Sequence, residues 1–75
     1  MTNATPLEIR AEWPGRVAEV HVTDGSHVAE GDALVTLEAM KMLTAITAPR
    51  DGEVEVIAVA VDAFVEQGAL LARLR

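Results

Sequence analysis

Cysteine and tyrosine are absent from the 75-residue sequence, which has one tryptophan and one phenylalanine. Without cysteine, neither a disulfide nor a thiolate metal site can stabilise the fold. With so few aromatic residues, the core must be built from Val, Leu, Ile and Ala, and Val favours β-strands. The apolar fraction of 51% is too high for a disordered chain. We therefore expect one small domain over residues 1–75 with an aliphatic core.

Basic residues and long apolar runs are also scarce. Six basic residues stand against 12 acidic ones, so the net charge is −6. This balance argues against nucleic acid or an anionic membrane as a partner. No apolar run approaches the roughly 18 residues of a membrane span, and residues 1–8 lack the basic and apolar regions of a signal peptide. With no cysteine, these features predict a cytoplasmic protein.

Lysine is the scarcest charged residue type, because Lys41 is the single lysine and the other basic residues are arginines. An arginine guanidinium stays protonated and cannot act as an amine nucleophile, whereas a lysine amine can. A lone lysine is more often an accident of composition. The residues around Lys41 must therefore decide whether it has a function.

The chain matches itself when it is shifted by 37 residues. The identities fall in one unbroken register that relates residues 9–37 to residues 46–74, and all are apolar residues or glycines. The identical pairs are Ile9/Ile46, Ala11/Ala48, Gly15/Gly52, Val17/Val54, Val22/Val59, Val28/Val65, Gly31/Gly68, Leu34/Leu71 and Leu37/Leu74. The repeat predicts two halves related by a pseudo-twofold axis.

Each half is predicted to form four short strands and no helix. Apolar residues recur at period two between turn signals, and no window combines a helix cap with helical spacing. The predicted strands cover residues 7–11, 16–22, around 28, 33–37, 43–48, 53–60, around 65 and 70–74. We expect an all-β sandwich or flattened barrel. Residues 38–42 form its hairpin tip, residues 1–6 are a flexible N-terminus, and the repeat places both termini opposite the tip.

The predicted tip reads Glu38-Ala39-Met40-Lys41-Met42. It resembles the attachment motif of biotinyl domains, the biotin carboxyl carriers of biotin-dependent carboxylases, whose central lysine carries biotin as an amide. The resemblance implies that Lys41 is the attachment residue and that the other four residues are its recognition flanks. It also implies three partners: a biotin protein ligase, a biotin carboxylase and a carboxyltransferase. The domain would then be a non-catalytic carrier whose swinging arm moves a carboxyl group between two active sites.

The resemblance extends over residues 7–74, since Ala48-Pro49 and Asp51-Gly52 follow the tip at the family's usual spacing. It implies the barrel-sandwich hybrid fold, built from two pseudo-twofold related four-stranded halves. The segment between residues 20 and 28 has no insertion, which is typical of the thumbless type of biotinyl domain.

Two positions depart from the family's pattern. Trp13 stands where a methionine is usual, and we expect it to cap the core without bearing on attachment. The turn Val61-Asp62-Ala63 lacks the glycine that is common there, so we expect it to differ in detail from the first half's turn at Gly25.

Two other functions stay open beside the biotin carrier. A lipoyl carrier shares the fold, but its lysine is typically preceded by Asp and followed by Ala, so Met40 and Met42 favour biotin. An unmodified β-module that only binds other proteins would gain no mass in the presence of a biotin ligase. The tip fits a free-standing subunit and one domain of a longer carboxylase equally well, and it does not name the acceptor of the carboxyl group.

Several side chains near the tip allow two interpretations. Met40 and Met42 could form a recognition surface or pack on the barrel, and recognition is favoured beside this lysine. Glu38 could pair with Lys41 or end a solvated strand, and the second is favoured. His21 and His27 are interpreted as surface residues, since a metal site needs more ligands than these two.

Overall fold

The computed structural model describes residues 7–75, and the prediction for residues 1–6 lies outside the described residues. Eight strands form, which confirms the predicted all-β fold: β1 (Leu7–Arg10), β2 (Gly15–Val20), β3 (His27–Val28), β4 (Ala33–Ala39), β5 (Met42–Thr47), β6 (Gly52–Ile57), β7 (Phe64–Val65) and β8 (Leu70–Leu74). The described part of the chain contains no helix long and apolar enough to span a bilayer.

The strands form two four-stranded antiparallel sheets. One has the order β1-β8-β6-β3 and the other the order β5-β4-β2-β7. Shifting each strand of the first sheet by one half-repeat produces the second sheet, as the pseudo-twofold axis requires. Each sheet therefore draws strands from both halves of the sequence. Among the described strands, β4 and β5 are the single consecutive pair that lie side by side, and their connection is the tip.

The backbone hydrogen bonds outside the strands repeat with the same period as the sequence. The Gly31 amide donates to the Ala48 carbonyl oxygen at 2.8 Å, and the Gly68 amide donates to the Ala11 carbonyl oxygen at 2.8 Å. Both glycines adopt positive φ, at 91° and 87°. Glycine enters this region without the steric cost that a Cβ imposes. The matched glycines thus mark matched backbone, as the repeat predicts.

The turn before β7 corrects one expectation. Asp62 has a φ of 75°, close to the 89° of Gly25 one half-repeat earlier. The Asp62 amide donates to the Val17 carbonyl oxygen, and the Gly25 amide donates to the Val54 carbonyl oxygen. Aspartate tolerates the left-handed region because its short polar side chain can hydrogen-bond locally. The expected difference between the two turns was therefore wrong, and the backbone is the same in both.

The core is aliphatic and built from repeat pairs. Burying one such side chain contributes about 1.5–3 kcal/mol, so a small domain of this kind folds without a disulfide. The side chains with less than 2% exposure are Leu34, Leu37, Leu71, Leu74, Val17, Val35 and Val54. Trp13 is 50% exposed and lies outside this cluster. The expectation that Trp13 caps the core was wrong, because its side chain is half exposed and does not pack against the core cluster.

Candidate functional site

The tip is a tight two-residue turn between β4 and β5. The strand pairing continues to Ala39 opposite Met42, so only Met40 and Lys41 lie in the loop. Their φ angles are 54° and 66°. Positive φ at both central residues matches the right-handed twist of a hairpin, and sequences such as Asn-Gly normally supply it. The turn is therefore tighter than the predicted tip over residues 38–42, and it is formed by two residues that disfavour its conformation.

Strain of this kind is the first sign of a functional site. A non-glycine residue in the left-handed region costs roughly 1–2 kcal/mol. Glycine at either position would remove that cost, yet the sequence has Met40 and Lys41 there. Local rules of this kind are broken most often where a side chain is needed for a purpose other than folding.

Lys41 is exposed at the apex of this turn. Within residues 7–75, no hydrogen bond or ion pair holds its amine. The strand pairs behind it fix the backbone up to Ala39 and Met42. The structure thus presents one amine on a rigid hairpin, away from any partner that would restrain it.

The flanking methionines are exposed as well. Met40 is 93% exposed and Met42 is 66% exposed. These values rule out packing in the core for both side chains. Flexible, polarizable thioethers that face solvent suit a surface that must fit more than one partner.

Glu38, the charged residue near the end of β4, is paired with Arg16. The Arg16 Nη2 donates to Glu38 Oε1 at 2.6 Å, and Arg16 Nη1 donates to Asp62 Oδ1 at 2.7 Å. The hydrogen bond from Arg16 to Glu38 raises the pKa of the Arg16 guanidinium, and the charge of Glu38 adds to this effect. Glu38 is therefore neither a partner of Lys41 nor a free strand end. Through its two ion pairs, Arg16 joins Glu38 at the base of the tip to Asp62 in the turn before β7.

Gly15 brings the start of β2 against the base of the tip. A Cβ on Gly15 would lie 2.7 Å from the carbonyl oxygen of Glu38 and 3.2 Å from the Cβ of Ala39. No side chain fits there without moving one of the two strands. The sequence marked Gly15 as a repeat glycine but did not connect it with the tip.

Trp13 lies beside the tip, two residues before this contact. It lines a groove of about 390 Å³ together with Ala39, Met40, Met42 and Thr44. This placement differs from the expectation that Trp13 caps the core. The signal that could have found it is the pairing of β2 with β4, since residues that precede β2 must lie near the residues that follow β4.

The two histidines lie away from the tip turn, and both are exposed. The His21 Nε2 is 2.7 Å from the Thr36 hydroxyl oxygen. Asp24, in the turn between the two histidines, accepts a hydrogen bond from the Ile57 amide at 2.8 Å. Within residues 7–75, no group of three or more His, Cys, Asp or Glu side chains could hold a metal ion.

Comparison with known families agrees with the geometry of the tip. Residues 7–74 match the Biotin_lipoyl family model, which is described as Biotin-requiring enzyme. The chain belongs to this family. Its relatives are biotin-dependent proteins, which makes the chain a biotinyl domain.

Two sequences and one structure illustrate the similarity of this biotinyl domain to known proteins. It is 39% identical over 67 residues to the biotin-dependent acyl-coenzyme A carboxylase alpha3 subunit of Mycobacterium leprae. The matched region covers 89% of this chain and 11% of that subunit. It is 38% identical over 65 residues to the biotinylated protein TB7.3 homolog of the same organism. This match covers 87% of the present chain and 92% of the homolog. The Kluyveromyces lactis urea carboxylase structure matches all of the chain and 7% of its own, with a TM-score of 0.89 and 28% identity.

The cofactor of this biotinyl domain is covalently attached biotin. The residues of the tip fit it, because an amide link needs an accessible amine without an ion-pair partner and Lys41 offers one. The biotinyl domain spans nearly all of the biotinylated protein homolog and only a small part of the carboxylases it matches.

Proposed function

We propose that this biotinyl domain is the biotin carboxyl carrier of a biotin-dependent carboxylase and that Lys41 Nζ is the atom that holds biotin. The single observation that carries the proposal is the unpaired Lys41 amine at the apex of a strained turn. When bound, biotin supplies a ring nitrogen that takes up a carboxyl group and releases it again. The acceptor of that group belongs to the partner enzyme.

Attachment asks one step of the chain's own residues. The Lys41 amine loses a proton and forms an amide bond with the carboxyl carbon of biotin, which a biotin protein ligase presents as an acyl-adenylate, and AMP leaves. Lysine side chains are ordinarily protonated at neutral pH, so the ligase must accept that proton. Arginine cannot replace lysine in this step, because its guanidinium does not deprotonate.

The residues around Lys41 position the amine and identify it. Met40 and Met42 offer a ligase two exposed thioethers on either side of the target. The contact of Gly15 with Glu38 and the ion pair of Glu38 with Arg16 hold the base of the hairpin in register. We assign recognition to Met40 and Met42 and positioning to Ala39 and Glu38.

The domain itself makes and breaks no bond in the carboxylase reaction. Its contribution is to keep a tethered group at a high effective concentration near a biotin carboxylase and a carboxyltransferase. Support comes from relatives whose names are those of biotin-dependent carboxylases. The net charge of −6 serves solubility first, and docking on basic rims of such partners is its second interpretation. The cytoplasmic location stays a prediction.

Intact-mass spectrometry after co-expression with a biotin protein ligase tests the assignment of Lys41. We expect the wild type to gain one biotinyl group and Lys41→Arg to gain none, since no second lysine is present. Arginine keeps the charge at an exposed position, so the free energy of unfolding should change by less than ~0.5 kcal/mol.

A matched control adds a lysine at the far end of the molecule. Lys41→Arg combined with Arg75→Lys restores one exposed amine. This amine follows the end of β8 and does not lie in a hairpin turn. We expect no biotinyl group on this double variant. A wild type without the added mass, or a lipoyl group in its place, would refute the biotin carrier, and a labelled Lys41→Arg chain would refute the assignment of the site.

A further inference from the structure

The groove beside the tip includes Trp13, an apolar side chain to which the proposed function gives no role. We call it the Trp13 groove, and it is lined by Trp13, Ala39, Met40, Met42 and Thr44. Its volume of about 390 Å³ lies within the roughly 300–1,000 Å³ range of small-molecule sites. Trp13, Met40 and Met42 leave half or more of their surface exposed. A small domain with excess acid residues gains nothing in solubility from such a cluster.

The pseudo-twofold axis shows that the fold does not require an indole at the position of Trp13. The counterpart of Trp13 is Arg50, whose Nη1 donates to the Arg75 carbonyl oxygen at 3.4 Å. The same backbone therefore folds at the other end with a guanidinium in place of the indole. The repeated backbone thus does not need the indole of Trp13, and the position of this side chain beside the tip points to a role there.

We propose that the Trp13 groove is a resting site for the biotin arm of Lys41, an inference that rests on the proposed function. Lys41 lies between Met40 and Met42, and both of these residues line the groove. The attachment point is thus next to the groove wall. A short flexible tether raises the effective concentration of the tethered group to the millimolar range, so the groove can be occupied although it is too open to hold free biotin.

The chemistry of the lining residues suits the two parts of the arm. The aliphatic stem is apolar and contacts the thioethers of Met40 and Met42. The indole of Trp13 offers a large flat apolar face and one N–H donor, which match the bicyclic ring and its ureido oxygen. A contact of this size favours the arm in the groove over the arm in solvent by about twofold to tenfold. The arm is therefore held against solvent and still released to a partner's active site.

The fluorescence of Trp13 reports on the groove directly, because the chain has one tryptophan and no tyrosine. Acrylamide quenching is measured on the unmodified and the biotinylated chain, each verified by intact mass. We expect biotinylation to lower the quenching constant about twofold or more, as the arm covers the indole. Lys41→Arg from the same co-expression should keep the value of the unmodified chain, and micromolar free biotin should not change it.

Trp13→Ala provides a second measurement that does not depend on fluorescence. Its side chain lies outside the core cluster, so the variant should fold and reach the full biotinyl mass. We expect avidin to capture its arm about twofold to tenfold faster than the wild-type arm, with Trp13→Phe between the two.

The outcomes separate this inference from the function on which it rests. A wild type that never gains the biotinyl mass refutes the proposed function. A biotinylated wild type with unchanged quenching and unchanged avidin capture in Trp13→Ala overturns the resting site alone. If Trp13→Ala instead slows ligation while quenching and capture stay unchanged, the groove is a docking site for the ligase, and the resting site is again overturned.

Discussion

The tip that carries Lys41 and the opposite end of the molecule use the same strand pairing. At the tip, Leu37 of β4 pairs with Thr44 of β5, and at the other end Leu74 of β8 pairs with Leu7 of β1. Each pair is related to the other by one half-repeat, and both ladders shift register at the same place. The two ends differ in their connection, since only the tip is closed by a two-residue turn.

The side chains at the two ends differ more than the backbone. On β1 and β8, the Arg10 Nη2 donates to Glu8 Oε1 at 2.6 Å, and Arg73 Nη2 lies 3.4 Å from Glu8 Oε2. The corresponding positions of the β4–β5 pair hold Ala45, Thr47 and Thr36, and this pair continues into the tip with its exposed methionines. The comparison shows that one scaffold supports a charged strand pair and an attachment site, and that the side chains decide which of them forms.

The largest expected effect comes from removing the apolar flanks of the tip. Met40→Asp combined with Met42→Ala should lower the rate of biotinylation by about tenfold or more, equivalent to at least ~1.4 kcal/mol, and should admit lipoylation. Time courses of mass gain with purified biotin and lipoate ligases measure both effects.

Leu43→Ala is the matched control, because Leu43 is an exposed apolar residue of β5 directly after the tip but does not line the Trp13 groove. Its ligation rate should stay close to that of the wild type. Equal rates for the double variant and the wild type would show that recognition lies elsewhere on the domain.

A glycine pair tests whether the base of the tip is held more tightly than its counterpart. Gly15→Ala should lower the free energy of unfolding by about 1–3 kcal/mol, since the new Cβ would lie 2.7 Å from the Glu38 carbonyl oxygen. Gly52→Ala should cost less, because its nearest atom is the Arg75 carbonyl oxygen at 3.1 Å, on a residue beyond the last strand. Urea denaturation of both variants measures the difference, and equal losses would contradict it.

Relieving the strain at the tip should have a smaller effect of opposite sign. Met40→Gly places glycine at a φ of 54° and should raise the free energy of unfolding by about 0.5–1 kcal/mol, after the greater freedom of the unfolded chain is deducted. Asp62→Gly should gain less, because aspartate already tolerates this conformation. Thermal melts of both variants and the wild type measure these changes in stability. A loss of stability in Met40→Gly would show that the Met40 side chain stabilises the fold by packing on the domain.

The smallest effect is the response of the Glu8 ion pair on β1 to acid. The hydrogen bond from Arg10 lowers the pKa of Glu8, and the charge of Arg10 adds to this effect. A carboxyl group with a lowered pKa in the folded state stabilises the fold above its unfolded pKa, and this contribution is lost as the pH falls through the folded value. Melting temperatures of the wild type and Glu8→Gln should therefore converge in acid, and a constant gap at every pH would contradict the assignment.

The sequence predicted the fold and the place of Lys41 at the hairpin tip, because both follow from the repeat and one local motif. A 37-residue shift determines which strands correspond, and it places Lys41 on a connection that has no copy. The surroundings of the tip could not be predicted in the same way. Trp13 and Gly15 reach the tip through the pairing of β2 with β4, and Arg16 binds Glu38 across that pair. These contacts depend on strand register, which a single sequence does not state.

The prediction for the turn at Asp62 was wrong for another reason. The expectation rested on the missing glycine, whereas the backbone of the repeat was the stronger constraint. Asp62 adopts the same positive φ as Gly25 because the hydrogen bond of its amide to Val17 is part of the repeated framework. Composition at one position was a weaker guide than the symmetry of the whole chain.

The pairing of β1 with β8 has a consequence for the time at which the domain becomes ready for modification. A ribosome releases β1 first and β8 last, so the first sheet cannot form until the final strand has been made. Neither half can fold ahead of the other, since each sheet needs strands from both, and such distant pairings form slowly. We therefore expect a ligase to meet Lys41 on a finished sandwich only after synthesis of β8, which makes the attached group a marker of completed folding.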